Sequence, residues 1–387
     1  MSDINRTEGL RVLTVLGTRP EAIKLAPIIL GLLARPQVKH CLCVTGQHRE
    51  MLDQALAVFG IAPDIDLRLM RPGLDLTVLT AESLLGIQRA IRNFRPDWVI
   101  VQGDTTTAFS GALAAFYEKI PVVHIEAGLR TGNLQSPWPE ELNRRLITQL
   151  ANLHCAPTSW AADNLRREGV SEDKLLITGN TVIDALRWVS TQTGFHSSLQ
   201  SFLGHSAERI LSGERRIVLV TAHRRENLEG PLSELCQGLC KLAARGDVVI
   251  VFPVHLNPNV QLIAQSILGS VANVYLTPPM DYPVFVALLK RCHIVITDSG
   301  GLQEEAPGFG KPVLVTRDTT ERPEAVTAGT AVLVGTDPSR LVRQANRLLD
   351  EPAAYAAMAQ ARNPYGDGHA AQRTIDAMIQ RSRPKAA

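Results

Sequence analysis

The chain has 387 residues, of which 45% are hydrophobic and 20% are charged, and its net charge is +2 at pH 7. This length exceeds what one compact core usually holds and predicts two domains. The near-neutral charge argues against binding to nucleic acid or to a membrane surface. There is no apolar signal region at the N-terminus and no run of about 18 apolar residues, so we expect a cytoplasmic protein.

The six cysteines form no CxxC pair. Cys41 and Cys43 share one face of an apolar strand, and Cys236 and Cys240 share one face of a helix. We therefore predict reduced thiols with a structural role, and a metal or redox site is the alternative.

Short apolar, β-branched runs alternate with helical segments, which is the pattern of parallel sheets covered by helices. The strand signal stops in a polar, broken stretch from about residue 190 to residue 214 and then resumes. This pattern predicts an α/β fold with two doubly wound, Rossmann-like domains and a cleft between them. The predicted strands are 10–16, 40–45, 98–101, 122–125, 153–156 and 175–177, followed by 217–221, 248–252, 274–276, 293–297, 312–315 and 331–334.

The predicted domain bounds follow from the interruption of the strand pattern. They are 1–190 for an N-terminal domain, 191–214 for a linker region, 215–365 for a C-terminal domain and 366–387 for a C-terminal helix that packs back on the N-terminal domain. In open parallel sheets, ligands bind at the carboxyl ends of the strands. The residues that directly follow strands are therefore the candidates for function.

One such turn is the run DSGG, residues 298–301, which directly continues the apolar strand HIVIT. Backbone N–H groups at a strand-to-helix turn of this kind can hold a phosphate. An ordinary tight turn with Ser299 as the N-cap is the alternative. Glu304 and Glu305 follow in the first helical turns, and one of them could hold the neutral hydroxyls of a ribose, as acids do in other nucleotide-binding folds.

Cations also follow several predicted strands. Arg19 begins a helix after the first strand, where the interaction of a positive charge with the helix dipole is unfavourable by roughly 0.3–1 kcal/mol. Lys24 lies about one turn further on. Residues 223–225, His-Arg-Arg, occupy the matching junction of the second domain, and Arg322 lies in a polar loop. These cations suit an anionic ligand such as a diphosphate. For Arg19 and Lys24, ordinary surface charges are the alternative.

Acids follow strands of the first domain. Asp104 and Glu126 each come directly after an apolar strand, and Glu140 and Glu141 lie at a predicted helix start. Each acid alone could cap a helix or compensate its dipole. Because consecutive strand ends present acids, we interpret them as candidates for a general acid and a general base. The histidines within apolar strands, His124 and His293, are predicted to be core residues.

Several well-known motifs are absent. The chain has no GxGxxG after a strand, no Walker A motif, no HExxH and no GxSxG. We therefore expect no bound dinucleotide or other cofactor, and no metal ion. The residues by themselves predict a polar cleft suited to a phosphorylated sugar or a nucleotide.

Taken together, the motifs resemble the non-hydrolysing UDP-N-acetylglucosamine 2-epimerases of bacteria. The resemblance runs from about residue 10 to residue 380 and rests on GTRPEAIKLAP (17–27), TGQHREMLDQ (45–54), GDTTT (103–107), HIEAGLRTG (124–132), SPWPEELNRR (136–145), TGNTVIDAL (178–186), HRREN (223–227), PVHLNPNV (253–260), TDSGGLQEEAP (297–307), GKPVLVTRDTTERPEAVTAGT (310–330) and NPYGDG (363–368). It implies the glycosyltransferase B architecture and an isomerase that interconverts UDP-GlcNAc and UDP-ManNAc. The family is thought to eliminate UDP across C1–C2, giving 2-acetamidoglucal, and to add UDP back with the opposite C2 configuration.

The resemblance also implies roles for individual residues. The catalytic set is Asp104, Glu126, Glu140 and His223. The substrate-binding set is Arg19, Lys24, Phe285, Ser299, Gly300, Gly301, Glu305 and Arg322, with DSGG on the diphosphate, Glu305 on the ribose and Phe285 near the uracil. Met280 stands where a glutamine is expected. A second UDP-GlcNAc that activates the enzyme would contact Gln47, Glu141, Arg224 and His255.

The resemblance further implies a homodimer, with UDP-GlcNAc, UDP-ManNAc and UDP as ligands, that supplies ManNAc units for cell-surface polysaccharide. Two alternatives remain within enzymes: a hydrolysing relative that releases ManNAc and UDP, and a glycosyltransferase of the same architecture. A third is a non-catalytic UDP-sugar sensor. A sensor could keep DSGG, Glu305 and Arg322, but it would have no reason to keep the three acids Asp104, Glu126 and Glu140 together.

Overall fold

Two parallel sheets form the framework of the computed structural model, which describes residues 9–46, 49–69, 71, 73–192, 194–222 and 230–382. The chain divides into one unit of Met1–Arg187 with Tyr365–Ala387 and a second unit of Trp188–Pro364. Each unit carries one sheet with helices between successive strands. The predicted α/β class with two doubly wound sheets is confirmed.

The sheet of the first unit has seven strands. They are β1 (Leu10–Leu16), β2 (Val38–Val44), β3 (Ile65–Asp66), β4 (Trp98–Gln102), β5 (Val122–Ile125), β6 (Leu153–Ala156) and β7 (Leu175–Ile177). The helices that follow them are α1 (Arg19–Leu33), α2 (Arg49–Val58), α3 (Leu76–Phe94), α4 (Thr106–Tyr117), α5 (Glu140–Leu150), α6 (Ser159–Arg167) and α7 (Thr181–Thr191). The strand order β3-β2-β1-β4-β5-β6-β7 reverses direction between β1 and β4. Ligands bind at such a switch point in open sheets of this class.

The central strands of this sheet are apolar because helices cover both of their faces. The whole of β4 is buried, as are the last five residues of β1. On α4, Ala108, Ala112 and Ala115 are fully buried, and these small side chains let the helix lie close to the sheet and to α3. The cross-strand pair His124 and His154 is also buried, in agreement with the prediction of a core role for His124.

The sheet of the second unit has six strands in the order β10-β9-β8-β11-β12-β13. They are β8 (Arg216–Thr221), β9 (Val248–Pro253), β10 (Val274–Thr277), β11 (Ile294–Thr297), β12 (Val313–Val315) and β13 (Ala331–Leu333). The helices of this unit are α8 (Phe195–Leu203), α9 (Ala207–Leu211), α10 (Gly230–Ala243), α11 (Pro258–Leu268), α12 (Tyr282–Arg291), α13 (Gly300–Glu305), α14 (Pro323–Thr327), α15 (Pro338–Asp350) and α16 (Pro352–Ala359). The direction of the strand order reverses between β8 and β11, which makes this the switch point of the sheet. The run DSGG directly follows β11 and therefore lies at the switch point.

The segment 191–214, predicted as a linker, contributes α8 and α9 to the second unit. Its apolar residues Leu199, Leu203 and Ile210 are buried, and α8 packs against α12. The spacing of Leu199 and Leu203 by four residues places both on one helical face. The segment therefore packs on the second unit as part of its structure.

The last helix, α17 (Ala370–Ser382), belongs to the first unit. It packs against α1 through buried side chains such as Ile375 and Met378. The indole Nε1–H of Trp98 donates to Ser382 Oγ at 2.7 Å, and Arg35 forms an ion pair with Asp376.

The cysteine thiols are all free, and the pKa of Cys43, Cys155, Cys236 and Cys292 is raised to about 12 by burial. The prediction of reduced structural thiols is therefore confirmed. Within the described ranges, no helix combines the length and the apolar character needed to cross a membrane.

Candidate active site

The candidate site in the first unit is built on the carboxyl ends of β1, β4 and β5, which are neighbours in the sheet. Arg19 follows β1 at the first position of α1, Asp104 follows β4, and Glu126 is the first residue after β5. Gly103 has a positive φ of 69°, which lets the chain turn sharply between β4 and Asp104. The predicted placement of these residues at strand ends is confirmed.

Glu126 lies at the centre of a polar cluster and is only 7% exposed. Its Oε1 accepts from the Lys24 ammonium at 2.5 Å and from Asn180 Nδ2 at 2.8 Å. Its Oε2 accepts from Gln102 Nε2. The buried carboxylate therefore has a cation and two neutral amides as partners, which is the condition under which a buried charge is stable.

The backbone of Glu126 is in the left-handed region, with a φ of 60°. For a residue other than glycine this conformation costs roughly 1–3 kcal/mol and persists only where the surroundings impose it. Here β5 ends at Ile125 and the chain turns at once, which directs the carboxylate to Lys24, Gln102 and Asn180. Strained residues of this kind are concentrated at functional sites.

Glu21 anchors the first turn of α1 and is 1% exposed. Its Oε2 accepts from the N–H groups of Gly17 and Thr18 at 3.0 and 2.8 Å, and its Oε1 accepts from Thr105 Oγ1 at 2.7 Å. Burial raises the pKa of Glu21, although these hydrogen bonds act in the opposite direction. The residue ties the start of α1, and with it Arg19, to the loop after β4.

A second cluster joins Asp104 to the start of α5 through Arg144. The Arg144 guanidinium donates to Asp104 Oδ2 through Nη2 and to Glu141 Oε2 through Nη1, the latter at 3.2 Å. Asn143 Nδ2 donates to the carbonyl oxygen of Asp104 at 2.9 Å. The first turn of α5 is thereby held against the end of β4.

The Glu141 side chain is completely buried. Its carboxylate also accepts from the N–H groups of Thr131 and Gly132 at 3.0 and 3.3 Å and from Arg145. Burial alone would raise the pKa of Glu141, but the Thr131 hydrogen bond and the Arg144 charge outweigh it, and the pKa lies below its ordinary value. In this structure Glu141 organises the loop after β5, and its implied contact with an activator remains a prediction.

The side chains of Glu140 and Arg19 differ in their contacts from the acids and cations described above, which form hydrogen bonds or ion pairs. Glu140 is the first residue of α5 and Arg19 is the first residue of α1, and both are partly exposed. Within the described part of the chain, neither side chain has a hydrogen bond or an ion pair. An acid at the start of a helix is favoured by the dipole, whereas Arg19 is opposed by it.

In the second unit, the run 298–301 forms the predicted strand-to-helix turn. Ser299 is the N-cap of α13 but makes no side-chain capping bond, and its N–H donates to Thr297 Oγ1 at 2.9 Å. Gly300 and Gly301 are the first two residues of the helix, and neither has a positive φ. A Cβ atom at Gly301 would meet no described atom closer than Ser299 Oγ, at 3.8 Å. Neither backbone strain nor protein packing among the described residues therefore explains the glycine at 301.

The two glutamates after this turn have different environments. Glu304 is 2% exposed and accepts from Arg322 Nε, so the cation predicted to contact the nucleotide is paired with a buried acid. Glu305 is partly exposed, and its Oε1 accepts from the Tyr282 hydroxyl at 3.4 Å. Of the two glutamates, Glu305 is therefore the more accessible, and its contact with a ribose hydroxyl stays a prediction.

The remaining predicted residues of the second unit lie on α12 and after β9. Phe285 is partly exposed on α12, and Met280, just before that helix, is 7% exposed. His255 is exposed in the loop after β9, and its Nδ1 accepts from the N–H of Asn257 at 3.1 Å. Three predicted site residues, Gln47, His223 and Arg224, lie outside the described residues.

Comparison with known proteins identifies the family of this chain. The family model described as UDP-N-acetylglucosamine 2-epimerase matches residues 31–379. The chain belongs to the UDP-N-acetylglucosamine 2-epimerase family. Its relatives include the enzyme of that name from Escherichia coli, 52% identical over 370 residues that cover 95% of this chain and 98% of the relative. Another is the Neisseria meningitidis enzyme, 47% identical over 371 residues that cover 96% and 99%.

Solved structures of epimerases are also similar. The UDP-GlcNAc 2-epimerase from Neisseria meningitidis bound to UDP-GlcNAc has a TM-score of 0.86 and 46% identity, covering 96% of this chain and 100% of that one. The Methanocaldococcus jannaschii enzyme in complex with UDP-GlcNAc and UDP has a TM-score of 0.76 and 30% identity, covering 96% of this chain and 100% of that one. These structures support the glycosyltransferase B-like class that the sequence predicted.

Several residues of the candidate site were not predicted from the sequence. Gln102 and Asn180 hold Glu126, Arg144 joins Asp104 to Glu141, and Glu304 holds Arg322. Glu21 was also missed, although the spacing of Thr18 and Glu21 is that of a capping box and could have been recognised. For the others, no local pattern marks the partner.

Proposed function

We propose that the chain is a non-hydrolysing epimerase that interconverts UDP-GlcNAc and UDP-ManNAc, without a bound cofactor or metal ion. The observation that carries the proposal is the set of acids at neighbouring strand ends of the first unit. Asp104 is held against the first turn of α5, which begins at Glu140, through Arg144 and Asn143, and Glu126 is paired with Lys24. A protein that only binds a UDP-sugar has no need of these acids. The family membership supports the same substrate class.

The chemistry requires such acids. The C2 proton of the sugar is not next to a carbonyl, so the enzyme must either oxidise a neighbouring carbon or expel the substituent at C1. In the second route a carboxylate takes the C2 proton, the electron pair forms the C1=C2 bond, and the C1–O bond breaks with UDP as the leaving group. Addition of UDP to C1 and of a proton to the other face of C2 completes the epimerisation. The intermediate is 2-acetamidoglucal.

Inversion at C2 needs two proton-transfer groups because the proton leaves one face and returns to the other. We propose that these groups come from Asp104, Glu126 and Glu140, with His223 as a further member of the catalytic set. Arg19 and Lys24 stabilise the negative charge that develops on departing UDP. Arg19 suits this role because a cation at the start of α1 is otherwise unfavourable.

The second unit supplies the nucleotide contacts in this proposal. Ser299, Gly300 and Gly301 bind the diphosphate, where the absent side chain at Gly301 allows close approach. Glu305 accepts from the ribose hydroxyls, Arg322 contacts the phosphates, and Phe285 lies against the uracil. Met280 stands where a glutamine was expected, so we propose that backbone groups make the corresponding uracil contact.

A homodimer is also part of the proposal, and an exposed apolar face supports it. On α3 and α4, Leu85, Phe116 and Tyr117 are 55–59% exposed, and Gln88 donates to Glu118 at 2.8 Å, which places the two helix surfaces side by side. Such a face suits a second copy of the chain. Analytical ultracentrifugation should show a dimer, and Phe116→Glu should convert it to a monomer. A monomeric wild-type protein would contradict the proposed homodimer.

Product analysis tests the proposal. The protein is incubated with UDP-GlcNAc without added NAD, and the products are separated by anion-exchange chromatography. We expect UDP-ManNAc in equilibrium with UDP-GlcNAc and no accumulation of free sugar. Free ManNAc and UDP would identify the hydrolysing reaction, and unchanged UDP-GlcNAc with retained UDP binding would identify a sensor.

A further inference from the structure

We propose that Asn180, together with Gln102, is a positioning residue that fixes the Glu126 carboxylate in its ionised form for the reaction. The inference rests on the proposed function, because it assigns these amides a part in the same proton-transfer site. Neither amide is expected to touch the sugar. They act through Glu126.

The burial of the two amides supports this role. Asn180 is 2% exposed and Gln102 is 3% exposed, and both aim an NH₂ group at the same carboxylate. The two residues come from different elements: Gln102 is the last residue of β4, and Asn180 directly precedes α7. Buried amide donors that converge on one acid hold that acid in one orientation.

The orientation of the Asn180 amide is itself fixed. Its Oδ1 accepts from the N–H of Val182 at 3.1 Å, as an N-cap side chain does at the start of a helix, and this leaves Nδ2 directed at Glu126. Its own N–H donates to the carbonyl of Tyr365 at 2.6 Å. The neighbouring Gly179 has a φ of 87°, and Cα of Gly366 would lie 3.1 Å from a Cβ there, so the chain around Asn180 is closely packed.

The strained backbone of Glu126 gives an independent reason for such positioning. A φ of 60° is by itself an unfavourable backbone conformation for a glutamate, so it costs free energy of folding. The amide donors and the Lys24 ammonium stabilise the carboxylate in the place to which the strained turn brings it. Hydrogen bonds to a carboxylate favour its ionised form, which is the form that accepts a proton.

Two substitutions separate the donor from the helix cap. Asn180→Asp keeps the Oδ1 acceptor for Val182 but replaces the donor with a second carboxylate that faces Glu126. Asn180→Ala removes both functions. We expect kcat for UDP-GlcNAc to fall about 10- to 100-fold in both variants, which corresponds to the loss of one hydrogen bond to a charged group. KM is expected to change less than twofold because the nucleotide contacts remain.

The pH profile distinguishes positioning from a purely structural effect. We expect the acidic limb of kcat against pH to move to higher pH in Asn180→Ala, Asn180→Asp and Gln102→Ala. Lys24 and His124 also act electrostatically on Glu126, and both are unchanged in these variants. A wild-type profile in Asn180→Asp together with a wild-type kcat would overturn the inference, since Asn180 would then be only a helix cap.

Asn164 provides a matched control. It is 7% exposed in the same unit, and its Nδ2 donates to the carbonyl of Gly128 at 2.8 Å, the same length as the bond from Asn180 to Glu126. Asn164→Ala should lower the melting temperature as a buried hydrogen bond is lost, but it should leave the pH profile unchanged. A shift of the same size in this control would contradict the specific role of Asn180.

A stability cycle tests the inference without activity. Melting temperatures are measured for Asn180→Ala, Glu126→Ala and the double variant, because alanine at position 126 leaves no acceptor for Asn180 Nδ2. We expect the double variant to lose less than the sum of the single effects, because both substitutions remove the same interaction. Strict additivity would overturn the inference. If the wild-type protein fails to epimerise, the proposed function fails, and this cycle still decides whether Asn180 fixes Glu126.

Discussion

The Lys24 ammonium lies 2.5 Å from the Glu126 carboxylate, and the two residues are 102 positions apart in the chain. The side chains are 19% and 5% exposed, so the pair is largely removed from water. The cation that we propose to stabilise departing UDP and an acid that we propose to transfer a proton are thus held together in the first unit. The pair joins the two kinds of group that the proposed elimination requires.

Substitution of the acids by amides should impair turnover without preventing UDP binding. We expect Asp104→Asn, Glu126→Gln and Glu140→Gln each to slow epimerisation about 10²-fold or more, the scale of lost acid–base catalysis. Rates are measured by product analysis and UDP binding by calorimetry. Glu172→Gln, which removes an exposed acid paired with Arg166 on the surface, serves as the control and should keep the wild-type rate. A wild-type rate in all three test variants would remove these acids from the mechanism.

The buried acid Glu304 should support UDP binding through Arg322. Glu304→Gln keeps the shape of the side chain but removes the charge that holds the guanidinium. We expect the Kd for UDP to rise about tenfold, corresponding to roughly 1.4 kcal/mol. Glu321 lies 3.8 Å from the same guanidinium and is 37% exposed, so Glu321→Gln should change the Kd less than about twofold. Equal effects of the two substitutions would contradict the positioning of Arg322 by Glu304.

The glycine at position 301 should matter for the ligand and not for the fold. Gly301→Ala introduces a Cβ that meets no described atom within 3.8 Å, and alanine is favoured over glycine in a helix by roughly 0.5–1 kcal/mol. We expect an unchanged or slightly higher melting temperature and a UDP affinity at least about tenfold weaker. Calorimetry and thermal unfolding measure the two quantities. Unaltered affinity would assign the DSGG run to an ordinary turn.

Much of the fold was predictable from the sequence because strands buried on both faces are continuous apolar runs. The short strand β3 was missed since it has only two residues, and α8 and α9 were missed because their sequence is polar and interrupted. The acids and cations of the site were found by their positions after strands. Their partners were not, since Gln102 and Asn180 are 24 and 54 residues from Glu126 and only the folded sheet brings them together.

Two buried histidines, His124 and His154, and two partly buried ones, His40 and His293, should make the protein lose stability as the pH falls below about 6.5. His293 was predicted to be a core residue, and this prediction is wrong. Burial lowers the pKa of His124 to about 3 and that of His40, His154 and His293 to about 4. The unfolded chain therefore binds more protons than the folded one between these values and 6.5, and the free energy of unfolding falls with falling pH. Each histidine contributes at most about 1.4 kcal/mol per pH unit.

Thermal unfolding between pH 7.5 and 5.5 measures this effect. His124→Gln should unfold at a lower temperature at pH 7.5 because it disturbs a buried residue, but its melting temperature should depend less on pH than that of the wild-type protein. An unchanged pH dependence in the variant would contradict the assignment of His124 as a buried neutral group.

The most direct test of the proposed elimination and re-addition is a proton NMR time course with UDP-GlcNAc in D₂O, without added NAD. We predict the appearance of UDP-ManNAc and the incorporation of deuterium at C2 of both sugars, because one group removes the C2 proton, a second group delivers a proton to the other face, and both groups exchange with solvent. Epimerisation with complete retention of the C2 proton would contradict this account, as would the accumulation of free ManNAc and UDP.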